Sequence, residues 1–334
     1  MSVSLNGNEG DVMAEKQYTY AVARIRAKEL SLLGKQFIEQ LLASKSYEDC
    51  LQLLADKGWG DNKGQTMDQL LAYETDKTWL EISELVEDMS VFNTFLYEKD
   101  FHNLKAAIKQ VYTGDERLDI YIKNGTIEPE VILEAVRERN FTLLPVNMQT
   151  CAEQAYNIQL QTGDSQLCDI IIDRAALETL YESGKSSGNK LFEEYAEIRV
   201  ASANIKIALR SIKTGKNREF IERALACCDS LDKKRLINSI FDEEDDIFSY
   251  LNTTVYSSAI DVIKESPSAF EKWCNNLLIE KIKPQKYNPF TLSPLAAFIL
   301  ARENEIKTVR ILLTGKKNSL SEDKIRERLR DMYV

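Results

Sequence analysis

Apolar positions along this chain recur at the helical period over most of its length. Leu30, Leu33, Phe37 and Leu41 step by threes and fours, as do Trp79, Ile82, Val86 and Met89, and again Leu104, Ile108 and Val111. That spacing lays one stripe along a helix. It predicts a first helix from Tyr18 to Leu42. Tyr18, Tyr20, Ala21, Val22 and Ile25 make its beginning apolar nearly all round, so neighbours should wrap it. A short helix is expected over 47–54, ended by Gly58-Trp-Gly60, with 61–64 as a loop. Residues 67–113 hold no glycine or proline and read as two long helices broken near Asn93-Thr94.

Beyond them the pattern predicts helices over 127–136, entered through Thr126 and Pro129, and over 148–160. A long helix entered at 173–181 is interrupted by Gly184-Lys-Ser-Ser-Gly188. Further helices follow over 220–227, 236–241 and 248–263, then one capped by Ser266-Pro267. The last starts at Ser321, where Leu320 and Ile325 suit a hydrophobic staple. Ile170-Ile-Ile172 is β-like but too brief to outvote its helical surroundings. Nothing alternates as a sheet requires, so the fold class is all-α. Residues 1–16 are polar and aperiodic, as in a flexible tail.

One phrase is used three times. Ile108-Lys109-Gln-Val111-Tyr-Thr113-Gly114, Leu209-Arg210-Ser-Ile212-Lys-Thr214-Gly215 and Val309-Arg310-Ile-Leu312-Leu-Thr314-Gly315 each read aliphatic, basic, any, aliphatic, any, Thr, Gly. The closing glycines lie 101 and 100 residues apart. A fixed period is the mark of a reused unit. It divides the chain into helical units at 17–115, 116–216 and 217–334. Each glycine is expected to take the left-handed turn where its helix stops. The third helix should open at Ser293 and Pro294.

Composition agrees with long helices: the 334 residues include only six prolines and thirteen glycines. Lys and Arg number 43 against 53 Asp and Glu, a net charge of −10. An acidic balance argues against general nucleic-acid binding, which needs a basic face. The six cysteines show no C-x-x-C spacing, and the N-terminus carries no export signal. They read as reduced thiols of a cytoplasmic protein. No window approaches the roughly 18 apolar residues that cross a bilayer.

Candidate chemistry is sparse. His102 is the single histidine and sits in a helical run, so a histidine metal site or acid–base pair has no second member. Gly184-Lys-Ser lacks the upstream glycine and the strand of a phosphate loop. Asp242-Glu-Glu-Asp-Asp246 has no second carboxylate cluster to complete a Mg²⁺ site and reads as a solvated corner. Cys227 and Cys228, adjacent on a helix, point about 100° apart and suit core packing better than ligation. No catalytic, cofactor-binding or metal-binding residue is assigned. Lys109, Arg210 and Arg310 occupy one place in each unit. Two readings stay open for them: favourable charge near a helix C-terminus, and a shared contact surface.

The opening helix, Tyr20-Ala-Val-Ala-Arg-Ile-Arg-Ala-Lys-Glu-Leu-Ser-Leu-Leu33, resembles the start of the C subunit of bacterial and archaeal V/A-type ATPases, the counterpart of the d subunit of the eukaryotic V-ATPase. The ending is more similar still, from Leu295-Ala-Ala-Phe-Ile-Leu-Ala-Arg-Glu-Asn-Glu-Ile-Lys307 through Ile325-Arg-Glu-Arg-Leu-Arg-Asp-Met-Tyr-Val334. The middle matches in periodicity more than in words. The resemblance implies three similar helical units about a pseudo-threefold axis, forming a funnel. It implies a non-catalytic rotor adaptor on the cytoplasmic face, peripheral to the membrane. Its partners would be the central stalk, received in the socket, and the proteolipid ring. Arg24, Arg26, Lys109, Arg210 and Arg310, charged groups on otherwise apolar helices, are then expected near inter-subunit surfaces. Whether such a complex moves H⁺ or Na⁺ is written in its other polypeptides. Two alternatives keep the same helices: a free helical scaffold unconnected to an ATPase, and an all-α Mg²⁺ enzyme using Asp245 and Asp246.

Overall fold

The computed structural model describes residues 18–61, 64–114, 117, 120–241 and 246–334, and among these every regular element is a helix. The tail 1–16 and residues 242–245 of the acidic run lie outside the described residues. In chain order the α-helices are α1 (Thr19–Glu29), α2 (Lys35–Ala43), α3 (Tyr47–Asp56), α4 (Met67–Ser83), α5 (Tyr97–Thr113), α6 (Pro129–Arg137), α7 (Val146–Thr162) and α8 (Ser165–Ser186). There follow α9 (Lys190–Thr214), α10 (Arg218–Ala224), α11 (Lys233–Phe241), α12 (Ile247–Asn252), α13 (Ile260–Glu265), α14 (Pro267–Ile282), α15 (Ser293–Lys317) and α16 (Glu322–Arg326). Short 3-10 turns lie at Met89–Phe95, Phe141–Leu143, Ser257–Ala259 and Lys283–Tyr287.

Local chemistry explains the boundaries. Ser46 with Asp49, and Thr66 with Gln69, form reciprocal capping boxes at the starts of α3 and α4. The side chains of Asp164, Asn217 and Ser266 accept the first free N–H groups of α8, α10 and α14. Pro129 opens α6, where its missing N–H costs nothing.

The chain folds into two compact units. Residues up to Met89, together with Val262–Val334, form one; Ser90–Asp261 form the other. The first unit is organised by α15, whose residues Leu295–Ala301 are buried all round, the pattern of a core helix. Its Val309, Leu312 and Leu313 pack with Leu33, Leu41, Leu42, Leu54 and Leu71. In the second unit Phe101, Leu104 and Ile108 of α5 join Ile132 and Val136 of α6, Ala155 of α7 and Ile172 of α8. Ile170-Ile-Ile172 is therefore helical. Gly184 lies inside α8, where a Cβ would come within 2.5 Å of the Ala196 Cβ. The glycine serves the close approach of α8 and α9, not a phosphate.

Several expectations are corrected. The helix expected over 18–42 is two, because the chain breaks at 30–34 and restarts after Gly34. Leu30 is consequently 86% exposed instead of sharing the stripe of Leu33. Tyr20 is also exposed, so α1 buries only the face of Ala21, Val22, Ile25 and Glu29. The stretch 248–263 is α12, a 3-10 turn and the start of α13 rather than one helix. Helix α10 stops at Ala224, so Cys227 and Cys228 are not helical, and Cys227 is exposed rather than packed in a core. The helix begun at Ser321 lasts only five residues.

Gly315 departs from its two counterparts. Gly114 and Gly215 end their helices left-handed, with φ of 70° and 61°. Gly315 stays inside α15, which runs on to Lys317. A Cβ there would meet Ile325 Cγ1 at 2.5 Å, so the glycine makes room for the returning C-terminal segment.

Candidate functional site

The cations of the repeated phrase lie on the surface of their helices and mostly reach across to a neighbour. Lys109 of α5 bonds Asp169 of α8 at 2.8 Å. Arg310 of α15 bonds Asp68, in the first turn of α4, at 2.7 Å. Arg210 of α9 is exposed and lines a cavity of about 220 Å³ with Asp169, Asp173 and Lys216. The accompanying threonines do one job in two units: Thr113 and Thr214 donate to the carbonyls of Lys109 and Arg210, each at 2.8 Å. Arg24 is exposed on α1. Arg26 is half-buried and committed within the unit. It bonds Glu29 at 2.7 Å and donates to the carbonyls of Gln285 and Asn288, fastening α1 to the segment after α14.

A second repeated group is absent from the sequence-based expectations. Eleven residues before the glycines stand Asn103, Asn204 and Asn304, all buried. Asn103 donates to the Ile122 carbonyl and accepts its N–H, both at 2.8 Å. Asn204 does the same with Ala226, at 2.8 and 3.1 Å. Asn304 donates to the Asp331 carbonyl at 2.9 Å, while the Asp331 N–H goes to Asn276. In each copy a buried amide fastens a later, non-helical stretch of chain, satisfying backbone groups that have no ladder or helix to join. Asp100 adds to the first clamp by accepting the N–H groups of Thr126 and Ile127, and burial pushes its carboxyl above the ordinary range. Glu98 and Arg199, each five residues before its asparagine, form an ion pair.

A buried network of ion pairs lies in the first unit. Arg302 of α15, 7% exposed, sits between Glu74 of α4, 1% exposed, and Glu305, 2% exposed. Its guanidinium donates to Glu305 at 2.6 Å, to Glu74, and to Thr78 at 3.3 Å, and stacks 5.0 Å over the Trp59 ring. The remaining carboxylate oxygens accept the backbone N–H of Gly60 at 2.8 Å and that of Leu33. Arg302 faces both carboxylates, Lys77 adds a longer contact to Glu74 at 3.8 Å, and burial pushes the Glu305 carboxyl up to about 7 despite Arg302. The group locks α4, α15, the Trp59 turn and the break at Leu33 together.

Among the described residues no three histidine, cysteine or carboxylate side chains converge as metal ligands. His102 is exposed on α5. The sequence profile of the ATP synthase (C/AC39) subunit family matches residues 21–328. The chain belongs to that family. It is 25% identical to the C subunit of the V-type sodium ATPase of Enterococcus hirae over 318 residues, covering 92% of this chain and 97% of that protein. It is 24% identical to the C subunit of the A-type ATP synthase of a Desulfurococcus strain, covering 93% and 90% of the two chains. The same identity holds with the C subunit of the A-type ATP synthase of Methanocaldococcus jannaschii, covering 93% and 86%. In this family member the arrangement is one of surface ion pairs, backbone clamps and a buried lock. No described helix is long and apolar enough to cross a membrane.

Proposed function

We propose that this member of the C/AC39 family is the non-catalytic rotor adaptor of a V-type ATPase or ATP synthase. It links the central stalk to the membrane proteolipid ring and passes torque between nucleotide chemistry and ion transport. The family match over nearly the whole chain carries this reading. The names of its relatives, C subunits of V-type and A-type enzymes, support it. The three-copy phrase and its buried asparagines support three similar units about a pseudo-threefold axis. Held on the cytoplasmic side through protein contacts, the adaptor needs no spanning helix of its own. A torque-bearing spacer needs stiffness, and the buried lock around Arg302 and the asparagine clamps supply it locally.

Arg24, Arg26, Lys109, Arg210 and Arg310 remain the proposed interface residues. Arg24 and Arg210 offer exposed charge; Lys109 and Arg310 offer pairs that a partner could exchange; Arg26 acts by holding the segment after α14. The test is a deletion in the source cell. Its membranes should lose ATP-driven ion transport while the detached nucleotide head still hydrolyses ATP. Fully coupled transport without this chain would refute the proposal.

A further inference from the structure

From Lys206 to Arg218 the chain carries five cations and no carboxylate, in a protein of net charge −10. Lys206, Arg210 and Lys213 step by four and three, so they form one stripe on the exposed side of α9. Their side chains form no ion pair or hydrogen bond with a described residue. Lys216 donates to Gln166 at 2.6 Å and Arg218 to Asn238 at 3.1 Å, both neutral side chains. The helix dipole favours cations only in the last turn, which holds Lys213. Lys206 and Arg210 lie further back, where like charges four residues apart repel.

The repeat shows what such a stripe pairs with. One repeat earlier, Lys105 and Lys109 of α5 stand where Lys206 and Arg210 stand in α9. Both are bonded to aspartates one turn apart on α8, Lys105 to Asp173 at 2.5 Å and Lys109 to Asp169 at 2.8 Å. In the third copy Ile306 replaces the first cation, and Arg310 bonds Asp68. Asp169 and Asp173 also border the cavity beside Arg210, but each is bonded to a lysine of α5 and Arg210 pairs with neither.

We infer that the α9 stripe docks an acidic helix of a partner chain, with carboxylates four residues apart as Asp169 and Asp173 are. The first copy supplies the template: two cations one turn apart, answered by two aspartates one turn apart on a neighbouring helix. Opposite charges held in register give specificity and fast encounter more than raw affinity. The contact therefore selects the partner and its register. The inference deepens the interface reading of Arg210 and rests on it for the partner being another chain of the complex.

The test is carbodiimide coupling of the complex captured through the tagged full chain from detergent-solubilised membranes, read by peptide mass spectrometry. The reagent joins a lysine amine to a carboxylate in direct contact, forming an amide with loss of water. The expected result is Lys206 or Lys213 joined to a carboxylate of another chain, in a segment with acidic residues four apart. The yield of those links should fall at least about threefold in Arg210→Glu, where a like charge replaces the central cation. Thermal melting of the free variant reports whether its fold is kept. Raising the ionic strength from about 0.05 to 0.5 M should lower the yield with the parent chain too, independently of any substitution. Links from these lysines only to carboxylates of this chain, no links, or binding of the free chain to anionic vesicles in their place would overturn the inference. Capture of head, stalk and ring without such links sinks this contact alone. Links to an acidic helix outside an ATPase keep the contact and sink the rotor reading.

Discussion

Asn204 and Ala226 exchange two amide hydrogen bonds, side chain to backbone, at 2.8 and 3.1 Å in a buried setting. Removing the side chain strands a backbone N–H and a C=O, each costing about 1–3 kcal/mol when unsatisfied. Asn204→Ala should therefore lower stability by about 2–4 kcal/mol in urea titration. Asn103→Ala and Asn304→Ala should cost less. The groups facing Asn103 are only partly buried, and Asn304 makes one such bond to Asp331. Equal losses at the three positions would contradict this account.

Arg302→Met removes the guanidinium that stands between Glu74 and Glu305. Breaking a buried pair by deleting one partner typically costs about 3–5 kcal/mol, and here Glu74 would keep only the longer, more exposed contact to Lys77 at 3.8 Å. The loss should show as a lower urea midpoint. A variant as stable as the parent would mean that the lock carries no weight.

Glu305 also sets a pH dependence. Its carboxyl titrates at about 7 in the fold against 4.5 ordinarily, burial being the first cause. Between those values the folded chain holds a proton that the unfolded chain has released. Stability therefore falls as pH rises. The contribution is complete below about pH 4.5 and is lost as pH climbs through about 7. Unfolding free energy measured from about pH 5 to 8 should decline more steeply in the parent than in Glu305→Gln. Parallel curves would rule out this assignment.

The glycines of the repeat should separate by mechanism. Gly315 lies in a helix, where alanine alone would gain about 1 kcal/mol of propensity. The 2.5 Å approach of Ile325 should reverse that sign. Gly315→Ala should destabilise, and trimming Ile325 to alanine in that background should cost less than it does in the parent. Additive losses in the double-mutant cycle would show that the two residues do not couple.

Much of the helical layout is legible in the sequence because apolar spacing reports which face of a helix is buried. Trp79, Ile82, Leu104 and Ile108 are all buried as their spacing requires. The break at 30–34 is not legible in this way. Leu30 fits the period of Leu33 and Phe37, and Gly34 alone does not announce that the helix stops four residues earlier. Gly315 defeats its pattern because the same Thr-Gly ending suits two outcomes, and the contact that decides, Ile325, arrives after a turn. The asparagine clamp does leave a signal, one Asn eleven residues before each glycine. The lock leaves none: Glu74 and Arg302 are 228 residues apart, and nothing local marks them as partners.

The rotor-adaptor reading is tested most directly by affinity capture of the tagged chain from detergent-solubilised membranes of its source cell, read by mass spectrometry. It predicts recovery of the nucleotide-binding head, the central stalk and the proteolipid together, with loss of stalk or ring when Arg24 and Arg210 are reversed to glutamate. Recovery of only unrelated soluble partners would contradict it and favour a free helical scaffold.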